Sequence, residues 1–142
     1  MAEIIYKYLS ENKKELDSSL YIKWLDKNDL QVFNHHLEMC GQTIIDNALW
    51  DKIYDAGTIY AGLFFDGKMV ARACVEKYSN DAWEIADVRV VKTFRNKGFA
   101  YAVCSYVLHY ILNNKRIPTI RTEEDNYSMQ KVISKLGFIS EY

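Results

Sequence analysis

The chain has 142 residues, 49% of them apolar and 26% charged, which sets it among folded domains of ordinary size and outside the weakly hydrophobic, highly charged range of disordered chains. A net charge of −1 gives no overall positive field for a nucleic-acid backbone, and the aromatic residues, 14% of the total, never alternate with a basic stripe as a stacking platform requires. Cys40, Cys74 and Cys104 are odd in number, far apart and never in a C-x-x-C pair, so neither a disulfide framework nor a metal site is expected and a reducing compartment fits.

Taken from the N-terminus, residues 1–17 carry seven charges, from Glu3 and Lys7 to Asp17. They leave no room for the apolar core of a signal peptide, and a cytoplasmic location is expected. "SLYIKWL" (19–25) predicts a strand, and Asp26 or Asn28 a cap for a helix through Leu30, Phe33, Leu37 and Met39. A second helix is predicted over 43–54, with Ile44, Ala48 and Ile53 facing inward. His35, His36 and later His109 have no carboxylate or cysteine at ligand spacing and read as surface or core residues.

The period then changes from helical to extended. "TIYAGLFF" (58–65), "KMVARACVEKY" (68–78) and "AWEIADVRVV" (82–91), joined by the turns "DG" and "SND", predict three antiparallel strands. From Phe99 to Leu112, the residues Ala100, Val103, Cys104, Val107, Leu108, Ile111 and Leu112 recur at the spacing of one helical face. This uncharged run is shorter than the roughly 20 residues of a membrane span, and no membrane partner is expected. "IPTIRT" (117–122) predicts a strand that Pro118 starts at or near a sheet edge. A helix over 128–136 follows, with Gly137 as its left-handed stop and Phe138 opening a last strand. Strand, helix, strand, helix across 82–142 reads as a crossover, so the sheet should be mixed.

The chemistry concentrates in "VVKTFRNKGFAYAV" (90–103). A helix that opens just after a strand aims unpaired N–H groups and its dipole at whatever lies ahead, which makes an anion site. Gly98 lets a ligand approach the main chain, and Lys92, Arg95 and Lys97 add charge. The loop matches neither a Walker loop nor a dinucleotide turn, since it has one glycine.

Arg95-Asn96-Lys97-Gly98-Phe99-Ala100 resembles the R/Q-x-x-G-x-G/A loop of the GNAT superfamily of acyl-CoA-dependent N-acetyltransferases. Asn126, followed eleven positions later by the glycine of Leu136-Gly137-Phe138, resembles a second feature of that family, and the "DN…S…KLGF" wording is similar to its FR47-like branch. The resemblance implies an α/β (α+β) GNAT fold: a mixed central sheet of about six to seven strands, about four flanking helices, and splayed parallel strands that hold the cofactor. It implies a single N-acetyltransferase domain over 1–142, with 1–55 on the substrate side and 56–142 as the acyl-CoA-binding core.

By the same resemblance, acetyl-CoA is the co-substrate and no metal is used. Arg95, Asn96, Lys97, Gly98, Phe99 and Ala100 would face the pyrophosphate, with Lys92 or Lys97 available to the ribose phosphate. The main chains of Val88 and Val90 would pair with the pantetheine arm, and Asn126 would contact that arm or cap its helix. Glu84, eleven residues before Arg95, matches the family's general base, whose work is to make an amine of pKa near 10.4 neutral enough to attack. Its other reading is an exposed or substrate-positioning residue.

The sequence departs from the family at Ile133, where many members have the tyrosine that protonates the leaving thiolate, so the acid is unassigned; Tyr127, another tyrosine or water remain open. The last family strand is also unaccounted for after Phe138. It is absent, replaced by the N-terminal segment "EIIYKYL", or supplied by a second subunit, which makes a homodimer a candidate. The expected reaction is direct acetyl transfer to a primary amine of a small molecule or peptide. A non-catalytic acyl-CoA-binding module is the alternative, and a nucleic-acid partner is not expected.

Overall fold

The computed structural model describes residues 3–8 and 21–140. They form β1 (Glu3–Tyr8), β2 (Tyr21–Trp24), α1 (Leu30–Met39), α2 (Asn47–Asp55), β3 (Thr58–Phe65), β4 (Lys68–Glu76), β5 (Ala82–Val90), α3 (Phe99–Asn113), β6 (Ile117–Glu123), α4 (Tyr127–Leu136) and β7 (Phe138–Ser140). The strands make one mixed sheet in the order β2-β3-β4-β5-β6-β1-β7, in which only β5 and β6 run parallel. This is the expected mixed α/β architecture of seven strands and four α-helices.

One face of the sheet is covered by α3 and α4. Phe99, Val103, Val107, Leu108 and Ile111 of α3, with Ile133 and Leu136 of α4, pack in one core with Leu63, Val70, Ile85 and Ile120 of the sheet. Each fully buried Val, Leu or Ile there contributes about 1.5–3 kcal/mol. On the opposite face α1 and α2 cover the β3–β4 side, where Phe33 and Trp50 pack as tilted rings with centroids 4.6 Å apart against Tyr60.

Local chemistry sets the helix starts. The Asp26 carboxylate accepts from the Asn28 N–H and the Asp29 carboxylate from the Asp26 N–H, each at 2.8 Å. Of the two candidate caps, Asp26 is the one used, on a 3-10 turn that leads into α1. The second helix begins later than its periodicity suggests, because the Asp46 carboxylate accepts from the Leu49 N–H and fixes the start at Asn47. Ile44 and Ala48 are therefore exposed, and Trp50 carries the buried face instead.

Two tertiary features differ from a local reading. Pro118 lies in an internal strand, with β5 on one side and β1 on the other. It is tolerated as the second residue, because the β1–β6 pairs begin only at Thr119. The N-terminal segment forms β1, which lies between β6 and the short β7 and so joins the sheet far from its neighbours in sequence.

The parallel pairing of β5 with β6 runs from Ala82↔Ile117 to Ile85↔Ile120 and stops. Beyond it β5 stays on β4 and β6 on β1, so the two strands part. At the parting point β5 bulges: two residues, Asp87 and Val88, stand opposite Ala73 alone, and Asp87 has φ 49°.

Candidate functional site

After Val90 the chain makes a short 3-10 turn (Lys92–Phe94), and α3 starts at Phe99. Asn96 (φ 63°) and Gly98 (φ 83°) both take the left-handed conformation, which bends the main chain into a concave run of N–H groups. Gly98 is the N-cap and brings no side-chain acceptor. The amides of Phe99, Ala100 and Tyr101 thus open the helix without an acceptor among the described residues. Underneath, Phe94 and Phe99 pack against Phe65 at 5.8 and 6.0 Å and fix the loop to the end of β3. Arg95 folds back, donating from Nε to the Val90 carbonyl at 3.2 Å.

In front of this loop lies a cleft of about 650 Å³ between β5 and α4. Val88 and Val90 form one wall, Arg95, Asn96, Gly98, Phe99 and Ala100 the end, and Asn126 begins the other wall. Eight of the nine residues expected around an acyl carrier are thereby brought together. Lys97 is exposed and does not line the cleft. Asn126 is committed in part, since its Oδ1 accepts from the Met129 N–H at 3.2 Å and from the Ser128 hydroxyl at 3.3 Å.

Glu84 sits apart from these residues. It projects from the sheet face opposite α3 and α4, four positions before Val88, and is 8% exposed. Its Oε1 accepts from Nε and Nη2 of Arg121, both at 3.1 Å. Burial pushes the Glu84 carboxyl above its ordinary range, and the Arg121 guanidinium pulls the other way. Ile133 is fully buried in the α3–α4 core, so that position holds no proton donor. Tyr127 is 69% exposed at the start of α4.

Several residues of the region escaped sequence reasoning. Tyr101 and Lys135 line the cleft, with the Lys135 ammonium 4.7 Å from the Tyr101 ring. Tyr101 was within reach, since it belongs to the first turn of the helix that follows the glycine. Arg121 was not, because its meeting with Glu84 depends on the parallel register that sets Glu84 against Thr119. The group formed by Asp87, Arg72 and Tyr60 depends likewise on the β5 bulge.

The sequence profile of the acetyltransferase (GNAT) family matches residues 11–138. The chain belongs to the GNAT family. Among solved structures, a GNAT-family acetyltransferase from Colwellia psychrerythraea is similar at 16% identity and a TM-score of 0.77, over 98% of this chain and 52% of that one. AAC(6')-Iy in complex with the bisubstrate analogue CoA-S-monomethyl-acetylneamine is similar at 20% identity and a TM-score of 0.70, over 84% and 90% of the two chains. Ribosomal-protein-alanine N-acetyltransferase from Brucella melitensis biovar Abortus 2308 is similar at 16% identity and a TM-score of 0.67, over 87% and 94%.

At these identities the likeness is one of fold. This GNAT chain spans 52 to 60% of the length of four of the similar structures. No curated protein sequence matches it significantly. Among its described residues no three His, Cys, Asp or Glu side chains gather into a metal-binding group, and no helix is long and apolar enough to cross a membrane.

Proposed function

We propose that this GNAT domain is an N-acetyltransferase that moves an acetyl group from acetyl-CoA directly to a primary amine of a small molecule or peptide. The observation that carries the reading is the cleft itself. The acceptor-free amides of a helix start meet the β5 main chain at the point where its pairing with β6 has ended. The residues fit the co-substrate. A Cβ at Gly98 would meet nothing within 4 Å, leaving room for a diphosphate against the amides, and the exposed Lys92 and Lys97 supply charge for a ribose phosphate. The β5 groups of Val88 and Val90 that turn toward β6 have no strand partner there and serve the amides of an extended arm, the Val90 carbonyl while also accepting from Arg95.

When bound, acetyl-CoA supplies a carbonyl activated as a thioester. Glu84, directly or through water, accepts the proton that the amine sheds as the new C–N bond replaces the C–S bond. Its raised pKa suits that work better than an ordinary glutamate would. The leaving thiolate, tolerable near neutral pH, takes its proton from Tyr127, another tyrosine or water, since Ile133 supplies none. Within one domain, α1 and α2 are assigned to the acceptor side and β3 to β7 to the acyl-CoA core, with β1 belonging to that core rather than to the N-terminal acceptor segment. The "DN…S…KLGF" segment supports placement in the FR47-like branch. The net charge of −1 supports the absence of a nucleic-acid partner, the three scattered cysteines support a cytoplasmic enzyme, and the shortness of the uncharged run supports the absence of a membrane partner. The sheet edges, with Tyr21 on β2 59% and Ile139 on β7 54% exposed, support pairing of two copies, and a strictly monomeric light-scattering mass would remove that part.

Thiol release with acetyl-CoA and a library of amines tests the whole reading, with steady turnover of at least one amine expected. Ile133 in place of an acid favours a second reading, a binding module without turnover. Saturable coenzyme A binding with no thiol released by any amine would establish that instead.

A further inference from the structure

Three arginines stand on the Glu84 face of the sheet, near the parting of β5 and β6, and two of them are matched. Arg72, 2% exposed, gives Nε and Nη2 to the Asp87 carboxylate at 3.2 and 3.0 Å and Nη1 to Gln42 at 2.9 Å. Tyr60 donates its hydroxyl to the same carboxylate at 2.5 Å. Arg121 is held by Glu84 at 3.1 Å and approaches Glu3 at 4.0 Å.

Arg89 is different. It is the register partner of Arg72 across the β4–β5 ladder, so the two side chains rise from the same face. Both guanidinium groups also disfavour the protonation of buried His36. Yet Arg89 pairs with no carboxylate among the described residues, and its Nε is buried without an acceptor. A guanidinium is a fork of five donors that stays charged, and holding one unmatched beside another is unfavourable until an anion arrives. Arg89 also lines the cleft, directly after Val88.

The neighbours restrict which anion fits. Asp87 lies two residues and Glu84 five residues before Arg89 on β5. The Asp87 side chain is 45% exposed, and Glu84 takes both Arg121 bonds on Oε1, leaving Oε2 without a donor among the described residues. With these carboxylates matched by Arg72 and Arg121, the group holds one positive charge in excess, which suits a single carboxylate, while the open Glu84 Oε2 can accept from an ammonium. One unmatched guanidinium on the same face as an open carboxylate oxygen is the complement of a zwitterion.

Building on the acetyltransferase reading, we propose that Arg89 binds the carboxylate of a zwitterionic acceptor, an amino acid or short peptide whose amine is drawn toward Glu84. A bidentate carboxylate would occupy the unmatched donors, and the transfer step stays as described above.

Two measurements test this. In initial rates with acetyl-CoA, free amino acids and dipeptides are expected to surpass their C-terminal amides by about tenfold or more in kcat/KM. In Arg89→Gln that ratio falls toward one. Calorimetry without coenzyme A gives a readout free of turnover: an N-acetyl amino acid should bind the wild type more tightly than its amide, and Arg89→Gln should lose the difference. If Arg89→Gln fails to fold by circular dichroism, Arg89→Lys carries the comparison, since it keeps the charge and loses the fork, and the ratio should fall only in part. Equal use and equal binding of acids and amides by the wild type would overturn the assignment. So would an unchanged preference in both variants, or a loss of coenzyme A affinity with acceptor preference intact. A chain that binds acids preferentially but acetylates nothing would sink the transferase reading and leave the Arg89 site standing, whereas turnover without preference would do the reverse.

Discussion

At the scale of single residues, Gly98 bears the most on cofactor binding. Its φ of 83° costs a branched L side chain about 1–2 kcal/mol, and the space beside it is the space a ligand needs. Gly98→Val is expected to weaken acetyl-CoA binding by roughly tenfold or more, read by calorimetry, and unchanged affinity would remove the loop from the cofactor site. Glu84→Gln should lower kcat by about a hundredfold or more while acetyl-CoA affinity holds. Arg121 lowers the carboxyl that burial has raised. Removing it in Arg121→Met should move the acid limb of the kcat/KM profile to higher pH, and a limb that moves down or stays would detach that limb from Glu84. His36 is fully buried, donates from Nδ1 to the Met69 carbonyl at 3.1 Å, and has its pKa lowered from 6.5 to about 4 by burial and by Arg72. A depressed folded pKa means that the unfolded chain takes up the proton first. Stability should therefore fall as pH drops from about 6.5 to 4, by on the order of 3 kcal/mol from this group. Urea midpoints across that window, compared with those of His36→Gln, would show it as a flatter profile in the variant.

At the scale of elements, α4 separates two roles of one side chain. Asn126 caps the helix through Oδ1, while its Nδ2 donates to no group among the described residues. Asn126→Ala should cost about 1 kcal/mol of stability. Asn126→Asp keeps the cap and removes the amide donor, so its melting temperature should stay near the wild type while coenzyme A affinity falls. Equal affinity in Asn126→Asp would leave capping as its only role. The same division governs what was readable in the sequence. The loop from Arg95 to Ala100 is contiguous, and its turn, glycine and helix start are all local matters. Asp87 is the opposite case: neither a glycine nor a turn signal marks its left-handed bulge, which is held by Arg72 and Tyr60 from two other strands.

At the scale of the whole molecule, β1 joins the ends of the chain. It pairs with β6 through Glu3↔Glu123 to Lys7↔Thr119 and with β7 through Tyr6↔Ser140 to Tyr8↔Phe138. Tyr6 is paired on both sides and packs against the α3–α4 core. Tyr6→Pro removes its N–H and distorts an internal strand, and should lower the melting temperature well beyond the effect of Tyr6→Val. It should also free the β6 and β7 edges for association, visible as a larger mass by light scattering. A Tyr6→Pro chain that melts with the Tyr6→Val one would show that β1 contributes little.

The sequence by itself determined the elements whose causes lie within a few residues: the three-strand meander with its short turns, the apolar stripe of α3, the left-handed stop at Gly137, and the loop that gathers around the cleft. It set the helix limits less well, because periodicity in 43–54 could not reveal that the Asp46 cap would outweigh Ile44 and Ala48. Only the tertiary structure decided which distant groups meet. The parallel register brings Arg121 to Glu84, the bulge turns Asp87 onto Arg72, Arg89 is left without a counter-charge, and the N-terminal strand lies between β6 and β7. Strand pairing joins residues far apart in the chain, and a shift of one position would send each of these side chains to the other face.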